Sequence, residues 1–408
     1  MSRTSSSYGI DVYICGRKQG CALILMSPNS LLRTAFLLAG TLFMGSAFAQ
    51  HEEAHTGSPV DSVVVHALES DTDEPEVISH EAAEGFNAGE LIMEHIGDAH
   101  SWHIVGHTSL PLPVILWTDK GLECFSSSHL LDEHHHPVAY QGTYYTYLLE
   151  HEKIKVVDVN GSIVEGARVT DFSITKNVAT LLFCITLMLI VFIGMARGYA
   201  KRGVSAPKGL ASLLEPIILF VRDDIAKSAI GHKHYQRFVP YLLTLFFFIW
   251  FLNLIGLIPI FPFGGNVTGN IVTPLVLATV TFLIVTFVAN WHYWRHMLAM
   301  PGIPIPVLII LTPIEIMGHF IRPIVLMIRL FANIMAGHIV LLVFFCLIFI
   351  FGQNSAVGGY ATSVPALAFT IFINCLELLV GALQAYVFTL LTSIYIGTAV
   401  AGGHDDHH

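Results

Sequence analysis

Between Arg295 and Asp405 the only formally charged side chains are Glu315, Arg322, Arg329 and Glu377. One apolar segment in this stretch runs from about Ile305 to Phe351, and a second from about Val364 to Ala401. At about 1.5 Å of rise per residue, each exceeds the roughly 30 Å of a bilayer's hydrocarbon core. Such segments must be helices, because a helix satisfies its own backbone in lipid, and helices this long must tilt strongly or run partly along the membrane. The break from Gly352-Gln353-Asn354 to Gly358-Gly359 reads as a hairpin loop between them. The whole chain points the same way: only 12% of its residues are charged, against about 25% in a soluble domain. A net charge of −10 argues against a nucleic-acid partner, which would need a basic face.

Three more apolar runs are of spanning length: Asn177–Ala196, Pro240–Pro259 and Ile271–Ala289. Arg197, Lys201, Arg202 and Lys208 follow the first, and Arg295 follows the third. The connector Ile260–Asn270 carries no Lys or Arg. The positive-inside rule therefore puts the ends near 200 and 295 in the cytoplasm and the connector outside, and the C-terminus returns to the cytoplasm. Leu210, Leu214, Ile217, Ile218, Val221 and Ile225 share one helical face, with Arg222, Asp223, Asp224 and Lys227 between them. That pattern predicts an amphipathic helix on the cytoplasmic membrane surface.

The N-terminal part is different. Residues 26–49 combine Arg33, a short apolar run and Ala47-Phe48-Ala49, the features of a secretory signal peptide. Residues 1–25 then read as an upstream mis-start. Residues 50–175 form an acidic, His-rich region, expected outside the cytoplasm. Tyr144–Leu149, Lys153–Val159 and Val169–Ser173 read as strands, with Asn160-Gly161 as a turn. A single Cys124 leaves this region without an internal disulfide. The expected architecture is an all-α polytopic membrane protein: five membrane helices, the surface helix, a long tilted hairpin at the end (176–402), and a small strand-containing extracytoplasmic domain. A His/Asp tail, 403–408, lies in the cytoplasm.

The few polar survivors in the last segments carry the chemistry. A buried Arg329 costs at least about 2.5–3.5 kcal/mol on insertion scales, and it cannot escape by losing a proton. Glu315 lies fourteen residues away, roughly 21 Å along a helix, so the simplest partner is a carboxylate on another subunit. Glu315, His319, Arg322, Arg329 and Asn333 fall within a stripe roughly 80° wide at about 100° per residue. Interhelical hydrogen bonding would explain Asn333, but not two arginines on the same stripe. On the second segment Asn374, Glu377 and Gln384 cluster similarly. An ionised Glu377 in lipid must pair, protonate or touch water. With His338 it makes a plausible proton relay, although His338 taken alone is a common packing residue.

Four stretches carry a family resemblance: Glu215-Pro-Ile-Ile-Leu-Phe-Val-Arg-Asp-Asp224, Asn253-Leu-Ile-Gly-Leu-Ile-Pro259, Ile328-Arg-Leu-Phe-Ala-Asn-Ile-Met-Ala-Gly-His338 and Leu383-Gln-Ala-Tyr-Val-Phe-Thr-Leu-Leu-Thr392. Over roughly Ile174–Ala401 the chain resembles subunit a of the F-type ATP synthase, the membrane stator of the rotary motor; residues 50–175 are not part of that pattern. The resemblance implies that Arg329 is the arginine facing the c-ring carboxylate, with Asn333 and Gln384 as its polar neighbours. It implies that His338 and Glu377 line the access path from outside. Many bacterial members carry Glu at the first of these positions and His at the second; this chain has them exchanged, as mitochondrial members do. Glu315 matches an acidic position on the cytoplasmic exit path, and Arg322-Pro323 a basic-Pro step. The implied partners are the c-ring, the peripheral-stalk subunit b, the remaining synthase subunits and lipid, in a bacterial inner membrane.

The mechanism so implied has two offset half-channels separated by Arg329. The outer one uses His338, Glu377, Asn333 and Gln384, and the inner one Glu315 and His319. A rotor carboxylate can face lipid only when neutral, so it must give up its proton before passing Arg329 and regain one afterwards. The subunit itself is expected to be non-catalytic and to hold no cofactor or metal. Rival classes are weaker. A stand-alone secondary transporter predicts internal inverted repeats, which are not evident. A metal-handling protein is suggested by His134-His135-His136 and by the His-rich tail, without an ordered ligand spacing. A membrane enzyme would need a nucleophile or a metal motif, and none is present.

Overall fold

The computed structural model describes residues 12–14, 22–24, 89, 97–105, 108–132, 137–150, 153–158, 164, 169–202, 209–258, 265–298, 300 and 302–401. The expected signal peptide, the His134–His136 cluster, the Asn160-Gly161 turn and the 403–408 tail lie outside these residues. Two compact units emerge. One holds Lys176–Gly337 and the chain from Ile373; the other holds the strand-rich region up to Thr175 together with His338–Phe372. Near the chain start, β1 (Val12–Ile14) and β2 (Ala22–Ile24) pair antiparallel.

The strand-rich region is made of short antiparallel pairings. β3 (Ser101–Val105) pairs with β4 (Thr108–Pro111). β5 (Pro113–Thr118) lies between β6 (Gly121–Ser126) and β10 (Val169–Asp171). β8 (Thr146–Glu150) lies between β7 (Tyr140–Gln141) and β9 (Lys153–Val157). The strands near 144–159 and 169–173 match the sequence expectation to within a few residues; β3 to β6 were not anticipated. In β5 the side chains alternate, so Val114 and Leu116 point inward while Trp117 points out. The core is Val114, Leu116, Leu130, Tyr147, Leu149 and Val156. His100 is buried beside Asp171, Nε2 to Oδ2 3.0 Å. Burial alone would raise the Asp171 carboxyl; the His100 hydrogen bond and charge, with the Ser173 hydroxyl and amide, outweigh it and hold it below the ordinary range.

The helical unit is built round α3 (Tyr235–Leu257), whose span from Pro240 on carries no charge and is apolar on all sides. Such a helix belongs in the interior, and Leu242, Leu245, Phe247, Ile249 and Leu252 are fully buried. α1 (Lys176–Arg202) packs against it. α2 (Leu210–Phe220) runs into a π-helical stretch, Val221–Lys227, and a last α turn, Ser228–Ile230. The apolar stripe expected to face lipid is largely spent on protein packing: Leu214, Ile218, Val221 and Ile225 are buried, while Leu210 is exposed. The π-helical stretch packs on α3, and the Ser393 hydroxyl donates to Ile225 O at 3.2 Å. α4 (Val272–Val288) bends by 101° into the short α5 (Trp291–Leu298).

α6 (Ile305–Asn354) and α7 (Ala356–Val400) are 50 and 45 residues long. The expected loop at 352–359 is absent: both helices continue, with only Ser355 between them. Glycine serves close approach here rather than a turn, since a Cβ on Gly359 would fall 2.9 Å from Gly352 Cα. Phe344 and Phe369 stack face to face at 5.3 Å across the two helices. Among the described residues four helices, α1, α3, α6 and α7, are long and apolar enough to cross a membrane, and the bent α4–α5 pair raises the number to five.

Candidate functional site: a polar path along the last two helices

The stripe predicted on α6 resolves into two clusters. Near its start His319 is 5% exposed. Its Nδ1 meets the Tyr293 hydroxyl at 3.0 Å and its Nε2 the Thr286 hydroxyl at 3.3 Å. Phe282 and Trp294 flank the ring. The Arg322 guanidinium lies over the Tyr395 ring of α7, 5.5 Å from its centroid, a cation–π contact. The Tyr293 hydroxyl lies within the fields of Arg322 and Glu315. Tyr293, Thr286 and Tyr395 are additions that the α6 periodicity could not supply, because each stands on a different helix.

Two turns further on, Arg329 is half-buried. Among the described residues no hydrogen bond or ion pair engages it. One turn on, Asn333 Nδ2 donates to Gln384 Oε1 at 2.9 Å, so α6 and α7 share a polar bond at this level. Gln384 is buried, and its Nε2 has no partner among the described residues. Glu377, two turns before Gln384, is also buried, and its Oε2 is likewise unpartnered there. Gly337 makes room for it: a Cβ at that position would fall 2.0 Å from Glu377 Oε1. His338 is half-buried on α6, directly after Gly337, and belongs to the other compact unit.

A third helix joins this level. Asn253 of α3 donates from Nδ2 to Gly381 O at 3.1 Å and accepts from the Thr268 hydroxyl at 3.1 Å. Gly381 lies one turn after Glu377, and a Cβ there would meet Asn253 Cβ at 3.1 Å. Buried polar groups in an apolar bundle are costly unless satisfied. Glu377 and Gln384, with unpartnered atoms among the described residues, are such groups on a helix of spanning length. The class defined by this fold and site is a multi-pass membrane protein with a polar track through its helices.

Comparison with known proteins narrows the class. Residues 178–397 match the family model for the ATP synthase A chain. Residues 91–172 match a model described as Domain of unknown function (DUF8433). The "ATP synthase subunit a" of Pelodictyon phaeoclathratiforme is 36% identical over 94% of this chain and 96% of that protein. The "ATP synthase subunit a 2" of Chlorobium luteolum is 34% identical over 93% and 97%. The "ATP synthase subunit a 2" of Chlorobaculum tepidum is 44% identical over 58% of this chain and 66% of that protein. The chain belongs to the ATP synthase A chain family, the stator subunits of F-type ATP synthases.

Proposed function

We propose that this chain conducts protons through two offset half-channels separated by Arg329, and so couples proton flow to rotation of a c-ring. The observation that carries this reading is a half-buried arginine, inside a helix long and apolar enough to span a membrane, that no group among the described residues engages, with a shared Asn333–Gln384 bond one turn away. A cation in that setting calls for an anionic partner from outside the chain. A rotor carboxylate fits: it crosses lipid neutral, ionises opposite Arg329, and is reprotonated beyond it. The same positive charge blocks a direct leak between inlet and outlet. Each proton crossing a potential of 100 mV delivers about 2.3 kcal/mol, which rotation passes on to ATP synthesis.

The outer half-channel runs through His338, Glu377, Asn333 and Gln384. Support comes from the unpartnered Glu377 and Gln384 atoms and from Gly337, whose missing side chain leaves room for the Glu377 carboxyl. The inner one runs through Glu315 and His319. In this reading five spans cross the membrane, with α4–α5 as one, and the long α6–α7 hairpin lies tilted against the rotor. Residues 26–49 are a signal peptide, 50–175 lie in the periplasm of a bacterial inner membrane, and 403–408 are cytoplasmic. Subunit b and the rest of the synthase complete the assembly, and catalysis resides in other subunits. In reconstituted complex, Arg329→Ala abolishes ATP-driven proton pumping; retained coupled pumping refutes the proposal.

A further inference from the structure

The inner half-channel, taken as proposed above, needs something to hold its groups in place, and the geometry supplies it. Both ring nitrogens of His319 are engaged, one by Thr286 and one by Tyr293. A buried imidazole held at both nitrogens cannot spin, and its partners set which nitrogen carries the proton. Arg322 and Glu315 are the charged groups whose fields reach the Tyr293 hydroxyl. One hydroxyl therefore holds one member of the stripe within the field of two others.

The position of Tyr293 is itself fixed. It lies one turn past the 101° corner between α4 and α5. Asn290 stands at that corner, its backbone N–H donating to Ala399 O at 3.0 Å and its Nδ2 to Val400 O at 2.9 Å. Those are carbonyls of the last turn of α7, which have no partner within the helix. The end of α7 thus places α5, and α5 delivers Tyr293 to α6. A tyrosine kept only for packing would need its ring; here the hydroxyl carries the polar contacts.

We infer that Tyr293 is a positioning residue of the inner half-channel, whose hydroxyl holds the His319 ring in one arrangement along the route past Glu315. The groups facing His319 are Tyr293 from α5, Thr286 from α4 and Arg322 from its own helix. The inference rests on the two-half-channel reading and adds a residue outside it.

The test uses whole synthase in inside-out vesicles. Tyr293→Phe keeps the ring and removes the hydroxyl. It assembles normally and lowers ATP-driven pumping by about fivefold to tenfold, the scale of one lost hydrogen bond. Its pumping varies with the pH of the cytoplasmic face between about 5.5 and 7.5, where a released imidazole titrates, while the response to outer pH is unchanged. Because the tyrosine acts through His319, Tyr293→Phe causes no further fall in a chain that already carries His319→Gln. Wild-type pumping and pH response in Tyr293→Phe overturn the inference. So do effects of the two substitutions that multiply, or a failure of Tyr293→Phe to assemble, which would make the tyrosine structural. Arg329→Ala, measured alongside, separates the layers: normal pumping there sinks the half-channel reading, whereas an inactive Arg329→Ala with an unaffected Tyr293→Phe sinks only the role of the tyrosine.

Discussion

Gly337→Ala separates the fold of this site from its function. The added Cβ would lie 2.0 Å from Glu377 Oε1, 2.8 Å from Cδ and 2.9 Å from Cγ. To reach ordinary contact the carboxyl must retreat by about 1.4 Å. The obstacle is the end of a flexible side chain, so the backbone has no reason to move. Alanine also favours a helix interior over glycine by about 0.8–1.0 kcal/mol, so assembly and stability are expected to be unchanged or better. Proton transfer is different, since a displacement of about 1 Å in a reacting group can cost on the order of a hundredfold. We expect Gly337→Ala synthase to assemble at wild-type levels, to hydrolyse ATP, and to pump protons at least tenfold more slowly, read from dye-reported acidification of inside-out vesicles. Glu377→Asp in the same chain withdraws the carboxyl by about one carbon–carbon bond, roughly 1.5 Å, and should restore part of the rate. Wild-type pumping in assembled Gly337→Ala would refute the claim that the placement of Glu377 matters.

Asn333→Ala and Gln384→Ala, which break one shared bond, should each slow pumping, and the double variant should fall short of the product of the two effects by about 0.5–1.5 kcal/mol of coupling. Gly397→Ala should behave oppositely to Gly337→Ala. Its Cβ would meet Ala229 O, a backbone atom, at 2.1 Å, so we expect a loss of about 1–3 kcal/mol and less assembled subunit on quantitative blots. In the outer region Asp171→Asn removes a charged partner of His100 and should cost about 1.5–3 kcal/mol at pH 7, seen as faster amide exchange in β5 and β10 of the intact protein. The folded Asp171 stays ionised to lower pH than the unfolded one, so its contribution is full above about pH 4. It fades as pH falls through the lowered value, and the Asn variant should lack that acid limb.

The apolar runs made the helices legible: α6 begins at Ile305, as expected, while α7 starts at Ala356, eight residues before the expected Val364, and α1 runs six residues past Ala196. The hairpin tip was misread because Gly352, Gln353, Asn354, Gly358 and Gly359 have turn composition, whereas the glycines here let two helices approach. The stripe from Glu315 to Asn333 could be read because one helix keeps one period. Tyr293 could not, since it reaches His319 across a corner that no period links to α6. The stripe from Leu210 to Ile225 was found, but its burial against α3 was not, since amphipathicity reports a polar–apolar division and not what covers the apolar side. Past Phe220 the π-helical turn also shifts which residues share a face. β3, β4 and β6 are hard to read because polar residues break their alternation, and β5 because its run Val114–Trp117 is apolar on both faces.

The most direct measurement is the distance from the Arg329 guanidinium to the nearest rotor carboxylate in an experimental map of the assembled synthase. One rotor carboxylate is expected within about 4–6 Å, the range in which an opposite charge stabilises the ionised form. A map in which Arg329 pairs with a carboxylate of its own chain, with every rotor carboxylate well beyond that range, would contradict it.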